Sequence, residues 1–338
     1  MSFFKRISFL DYYYIDVNEL SRIIRERKPS KVLLQVPEGF KNKSYELVDY
    51  LRNFLKDIEI HIDASPSFGS CLLDLGIINK YDLVIHLGHK RYPYWVPPEK
   101  VVYVDLQSKS RPTQEVLSSL INDLRKRDYR KLAVYTTDQH IDLTEEIIKL
   151  LRDNGFEVIN NGVEVIFGCW FSSLDILRNL ADAFLVVAGG RFHALGVGLR
   201  LSGSKEVISL DPYGNTYSFL SGYITKVLKS RLAKVMRSLD AVSWLIIAGS
   251  GGQYRPQIIN ELAKLITNSG GKYYVAVTSY LTRDLLINID SGMVDAIVIT
   301  SCPRLPIEDF HDYEKPVLTP GEAFMVLKKV FEPYVFPW

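Results

Sequence analysis

Short β-branched runs ending in Gly, Pro, Asp or Ser recur along the chain, separated by stretches of helical hydrophobic period. In the first third they predict strands at Lys31–Pro37, Glu59–Ser65, Leu83–His89 and Val101–Leu106. Between the first two, Ser44–Lys56 puts Leu47, Tyr50, Leu51, Phe54 and Leu55 on one helical face. The middle third predicts strands at Lys131–Thr137, Phe156–Ile159, Ala183–Gly189 and Val207–Asp211, with a helix over Leu143–Asn154 ended by Gly155. The last third predicts Trp244–Gly249, Lys272–Ser279, Ala296–Ser301 and Pro316–Leu318, with a helix over Pro256–Ser269 before Gly270-Gly271.

Strands alternating with helices imply parallel sheets covered on both faces, and the near-continuous apolar runs KVLLQV, AFLVVA, WLIIAG and AIVIT suit that burial. The expected fold class is α/β: three similar domains, each a mostly parallel four-stranded sheet flanked by helices. A single larger sheet would give a similar pattern. The polar segment Lys109–Thr113 and the turn after Asp211-Pro212-Tyr213 mark the joins, dividing the chain into 1–108, 109–214 and 215–338.

A length of 338 residues exceeds what one core usually organises, in line with several domains. With 47% hydrophobic and 24% charged residues, wholesale disorder and fibrous repeats are excluded. Lys and Arg number 41 against 39 Asp and Glu, so overall charge gives no reason to expect direct nucleic-acid binding. No apolar run approaches the roughly 18 residues of a membrane span. The start MSFFKRISFLDYYYIDVNEL is broken by Lys5, Arg6 and Asp11 before a secretory core forms. The expectation is a cytoplasmic protein with no membrane partner.

Three cysteines in a reducing compartment argue against a disulfide framework. Cys71, Cys169 and Cys302 fall one in each unit, each after an extended segment and beside a small residue or proline: Gly69-Ser70, Gly168, Ser301 and Pro303. Strand C-terminal edges are where α/β sheets place ligands. The separations of 98 and 133 residues (71 to 169, 169 to 302) fit neither a zinc knuckle nor a CxxxCxxC loop, so any shared site forms where the units meet. Three thiolates can hold three corners of a 4Fe–4S cube and leave one iron open to substrate. Three thiolates and a water can equally hold zinc, although no HxE-type general-base motif accompanies them. Three unrelated buried cysteines are the plain alternative.

Outward from the cysteines the sequence resembles the archaeal 2-(3-amino-3-carboxypropyl)histidine synthase family, which begins diphthamide biosynthesis. The resemblance runs from about Leu34 to Ala323. Its first-third segments are Gln35-Val36-Pro37-Glu38-Gly39, Phe68-Gly69-Ser70-Cys71 with Asp74, and His86-Leu87-Gly88-His89. Phe167-Gly168-Cys169, Gly190-Arg191-Phe192-His193 and Asp211-Pro212-Tyr213 come next, then Gly252-Gln253-Tyr254-Arg255, Ser301-Cys302-Pro303-Arg304 with Asp309, and Pro316–Glu322. The resemblance implies three α/β domains around a central site, each giving one thiolate to a 4Fe–4S cluster, and a homodimer. It implies S-adenosylmethionine as co-substrate, an unidentified electron donor, and translation elongation factor 2 as protein substrate. It also implies a radical reaction: an electron from the reduced cluster breaks the bond from sulfur to the amino-acid γ-carbon. Methylthioadenosine leaves, and the 3-amino-3-carboxypropyl radical adds to the imidazole carbon between the ring nitrogens of one histidine. Quinolinate synthase, a 4Fe–4S dehydratase with one cluster thiolate per domain, is the rival enzyme; a non-catalytic scaffold or binding paralogue is the rival outside enzymes.

The chain departs from the family at Phe68, where Tyr is usual; at Leu72, where a second Cys often stands; and at Lys90-Arg91, where a small residue usually comes after His89. Candidate substrate contacts are Arg304, whose fork suits a carboxylate, and Gln253, Arg255 and His193. The Gly249–Gly252 turn is expected to approach adenosine or carboxylate with its N–H groups. His86 and His89 are read as site or turn residues, and His61, His140 and His311 as surface or packing residues. Arg125–Arg127 with Arg130-Lys131 reads as a solvated face. Tyr12–Tyr14, Tyr92–Trp95 and the tail FEPYVFPW are read as subunit-interface segments.

Overall fold

A computed structural model describes residues 12–55 and 57–338. The broken secretory start and the Lys56 end of the first predicted helix lie outside the described residues, as does the Phe54 side chain.

The described residues open with β1 (Tyr13–Tyr14) and α1 (Val17–Arg27), capped by the Asp16 carboxylate. Next come β2 (Lys31–Gln35), α2 (Ser44–Phe54), β3 (Glu59–Ile62), α3 (Leu75–Ile78), β4 (Leu83–Leu87) and β5 (Val101–Val104). The four longer strands form a wholly parallel sheet in the order β3-β2-β4-β5. The crossover helix α2 buries Leu47 and Leu51 against it, as their spacing predicts. β6 (Gln107–Ser108) pairs antiparallel with β1.

The middle third contains α4 (Gln114–Lys126), β7 (Lys131–Thr136), α5 (Ile141–Asp153), β8 (Glu157–Val158), β9 (Glu164–Val165) and α6 (Leu174–Leu177). β10 (Ala183–Val187), α7 (Phe192–Arg200), β11 (Glu206–Asp211) and β12 (Thr216–Phe219) complete it. Its sheet has six strands, not the expected four, in the order β12-β11-β10-β7-β8 with β9 also against β7. β12 runs antiparallel to β11, so the sheet crosses the join expected after Gly214. The Asp211 side chain causes this: its Oδ1 accepts from the Tyr213 and Gly214 N–H groups and turns the chain back. β12 escapes sequence reading because only Tyr217 and Phe219 mark its apolar face.

The last third comprises α8 (Ser221–Arg237), β13 (Ser243–Ala248), α9 (Pro256–Asn268), β14 (Lys272–Val277), α10 (Arg283–Ile289), β15 (Ala296–Ile299), β16 (Val317–Leu318) and α11 (Pro320–Lys328). Its sheet is parallel, in the order β14-β13-β15-β16. The second and third sheets share a core in which Tyr135 and Phe184 meet Trp244, Ile246 and Val298. The first sheet buries its own faces separately. No helix among the described residues is long and apolar enough to cross a membrane.

Candidate functional site

All three sheets aim their strand C-terminal ends at one place. Cys71 lies in the turn beyond β3, Cys169 beyond β9, and Cys302 three residues past the end of β15. The three half-buried cysteines line a single cavity of about 400 Å³. His89 extends β4 into its wall, Thr137–Gln139 extend β7, and Gly189–His193 extend β10. A neighbouring cavity of about 290 Å³ shares Cys71, Cys302 and Arg304 and extends along Thr278–Arg283. The sequence associates the cysteines by motif alone, and the fold brings them to one hollow.

Each thiol has an identifiable setting. The Gln253 amide donates to Cys71 Sγ at 3.5 Å. The Arg255 guanidinium donates to the Tyr92 oxygen, which leaves the hydroxyl hydrogen for Cys169 Sγ, 3.3 Å away. Burial pushes the Cys169 and Cys302 thiols up to about 12, and the charges of the neighbouring cysteines add to the rise. Cys71 rises as well, through burial, against the opposing pull of Gln253 and Arg255. Three thiols so arranged stay neutral until a cationic centre joins them, and metal binding to thiolates supplies one. Among the described residues no three His, Cys, Asp or Glu side chains converge as ligands of a single ion. A polynuclear cube puts each thiolate on a different iron, so its ligands surround a hollow and need not meet at a point. The donor set and the cavity fit such a group.

The predicted substrate residues divide. Arg304 lines both cavities, held by Glu308 at 3.0 Å and Asp309 at 3.7 Å, with its guanidinium 4.8 Å from the Phe68 ring. Phe68 in place of Tyr therefore keeps the aromatic face beneath that cation. His193 lines the cysteine cavity, and its buried Nδ1 has no hydrogen-bond partner among the described residues. Gln253 lines the smaller cavity. Arg255 lines neither: it is buried behind the site, 4.1 Å above the Trp338 ring, and steadies Tyr92. The Gly249–Gly252 turn lies against backbone. It packs on the Cys71 segment: a Cβ on Gly252 would lie 3.0 Å from Cys71 Cα and one on Gly251 2.6 Å from the Leu73 carbonyl oxygen. Close backbone approach accounts for those glycines.

Tyr92, read as an interface residue, is buried at the site. The tail packs on its own chain, with Phe336 buried in the shared core and the Tyr334 hydroxyl on Glu322 at 2.7 Å. Lys90 reaches Asp105 at 2.6 Å and the buried Asp138 at 3.6 Å, tying the first sheet's loops to the second's at the cavity wall. His140 is a buried packing residue beside Tyr213, whereas His61 and His311 make local contacts away from the cavity. Sequence reasoning did not single out Tyr92 or Asp138 as site residues; neither carries a local motif.

The fold and site define an α/β protein in which thiols from three parallel-rich sheets surround one hollow. The family model for diphthamide synthesis proteins matches residues 36–335, and the chain belongs to that family. It is 29% identical to the 2-(3-amino-3-carboxypropyl)histidine synthase of Pyrococcus horikoshii over 91% of this chain and 89% of that protein. The synthase of the same name from Methanocaldococcus jannaschii is 27% identical over 93% and 91%. A crystal structure of Dph2 from Pyrococcus horikoshii with a 4Fe–4S cluster superposes with a TM-score of 0.79, at 27% identity over 95% of this chain and 93% of that one.

Proposed function

We propose that this chain transfers the 3-amino-3-carboxypropyl group of S-adenosylmethionine to a histidine of translation elongation factor 2, the first step of diphthamide biosynthesis. The observation that carries the reading is the single hollow lined by Cys71, Cys169 and Cys302 in a member of this family. In this reading three units, joined near residue 108 and just past β12, each supply one thiolate, and the cysteines hold a 4Fe–4S cluster. When bound, the cluster supplies an electron and an iron open to substrate. Arg304 then offers two parallel N–H groups to the substrate carboxylate, pre-set by Glu308 and Asp309. Gln253 steadies Cys71, and Tyr92, itself held by Arg255, steadies Cys169. Fixing the thiolates fixes which sulfonium bond faces the reacting centre, and small misplacements cost large rate factors. A homodimer, an external electron donor and a cytoplasmic location belong to the same proposal.

The test is anaerobic incubation with carboxyl-labelled S-adenosylmethionine, reductant and the cognate elongation factor. Label should appear on the factor with methylthioadenosine in equal amount, and alanine at any one of the three cysteines should abolish transfer. Deoxyadenosine with methionine would contradict the bond assignment, and absence of label would leave the activity unsupported.

A further inference from the structure

A buried line of polar side chains ends at the cysteine cavity. It begins at Asp63, whose Oδ1 accepts from the Ser65 N–H at 2.8 Å. Gln35 Nε2 donates to Asp63 Oδ2 at 2.6 Å. Gln35 and His86 are partners in the β2–β4 register, and His86 Nδ1 lies 3.0 Å from Gln35 Oε1. His86 Nε2 in turn lies 3.0 Å from His89 Nδ1. Gln35, Asp63 and His86 are buried, while His89 is half-buried in the cavity wall.

The direction of every hydrogen in this line is set by its first member. Both Asp63 oxygens accept, Oδ1 from the Ser65 N–H and Oδ2 from Gln35 Nε2, so the Gln35 oxygen faces His86. An amide oxygen only accepts, so the hydrogen between Gln35 and His86 sits on His86 Nδ1. A neutral ring has one N–H, which leaves His86 Nε2 as an acceptor. The hydrogen between the rings then belongs to His89 Nδ1, and His89 Nε2 carries a lone pair. Burial keeps both rings neutral: His86 is driven well below the usual imidazole range, and His89 is lowered to about 4 by burial and the nearby His193. No described residue donates to His89 Nε2.

We infer that Asp63, Gln35 and His86 are positioning residues that lock His89 as a hydrogen-bond acceptor in the cysteine cavity, where its Nε2 receives an N–H of the bound substrate. The inference rests on the proposed reaction for the identity of that substrate, and on the hydrogen-bond geometry and the burial of both rings for the tautomer. Two N–H groups meet the requirement: the α-ammonium of S-adenosylmethionine and the imidazole of the target histidine. Arg304 on the same cavity supplies the opposite preference, a donor for carboxylate.

Nitrogen-15 spectra of histidine-labelled protein, assigned with His89→Leu, read the tautomer without any turnover. Protonated Nδ1 and unprotonated Nε2 on His89 are expected. A His89 ring protonated at Nε2 overturns the inference whatever the reaction proves to be. Asp63→Asn keeps a single acceptor oxygen, which the Ser65 N–H holds, so its NH₂ meets Gln35 and should turn that amide and reverse the tautomer, whereas Gln35→Leu should mix the two forms. Calorimetry on the anaerobically reconstituted full chain then identifies the donor. Loss of one buried hydrogen bond to a charged group should weaken binding about tenfold. If His89→Leu weakens S-adenosylmethionine but not its deaminated analogue, the ammonium is the donor. If it weakens only elongation factor 2, the donor is the imidazole. Unchanged affinity for both probes overturns the inference. So does an altered cluster resonance spectrum in His89→Leu with unchanged iron content, which would put the lone pair on the metal.

Discussion

Arg231 and Glu322 form an ion pair that is 1% and 0% exposed, with Nη2 to Oε2 at 2.6 Å. The guanidinium also donates to the carbonyls of Pro306 and Val317, each at 2.7 Å. Glu322 accepts further from the Tyr334 hydroxyl and the Thr319 N–H, the latter closing a capping box at the start of α11. Such a pair contributes little relative to well-packed apolar residues, but removing one partner strands a buried charge. Glu322→Ala should therefore cost about 3–5 kcal/mol, and Arg231→Met combined with Glu322→Met should recover only part of the loss, because the Pro306 and Val317 carbonyls, the Thr319 N–H and the Tyr334 hydroxyl lose their partners. Urea midpoints check both, and a single-variant loss below about 1 kcal/mol, the worth of an exposed pair, would refute the account. The segment Pro316–Glu322 that helped mark the family is thus structural. The three cysteines were legible because glycine or proline beside a strand end is a local signal. Arg231 was not, since KSRLAKVMR reads as a solvated helix face and its carboxylate partner lies 91 residues away. Gln35 and His86 likewise become partners only once the β2–β4 register is known.

The loops beyond the strand ends build the site, and glycines set how closely those loops approach one another. A Cβ on Gly252 would press the Cys71 backbone at 3.0 Å and the Trp95 ring at 2.9 Å. Backbone cannot swing aside like a flexible side chain, so overpacking of this kind costs about 1–3 kcal/mol and moves the loop. Gly252→Ala should cut iron bound per chain after anaerobic reconstitution to below half while the circular-dichroism spectrum stays native. Gly39→Ala, where nothing lies within 4 Å of the new carbon, is the control and should retain full iron. Equal iron in both variants would show that the close approach does not position Cys71. Each strand predicted from apolar runs corresponds to an observed one: β4, β10 and β15 are buried throughout and give a continuous signal, whereas β14 is an exposed edge strand marked by its aromatic and β-branched residues and leaves its sheet less covered than expected. β12 and β9 carry no such run. Their places are fixed by Asp211 and by pairing with β7, which are tertiary facts.

Across the molecule the hydrophobic cores are unequal partners. The second and third sheets each pack residues into one cluster, bridged by α7, α8 and α11, that also takes in Phe336 from the tail, whereas the first sheet closes its faces with its own helices and loops. Cooperative units track shared burial. In native-state hydrogen exchange with rising guanidinium, amides of β7, β10 and β13 should lose protection together, and those of β2 and β4 separately and earlier. The cysteines make this order depend on what they hold. A group gripped by Cys71, Cys169 and Cys302 at once binds only when all three sheets are in place, so it adds its binding free energy to the opening of the first sheet. Reconstitution with iron and sulfide should therefore raise the denaturant concentration at which β2 and β4 open and draw it toward that of β13. Alanine at Cys71 should abolish that convergence while leaving the apo order intact. If β7 and β13 separate, or if loading leaves β2 and β4 where they were, then either the shared core is not the cooperative unit or Cys71 is not joined to the other two.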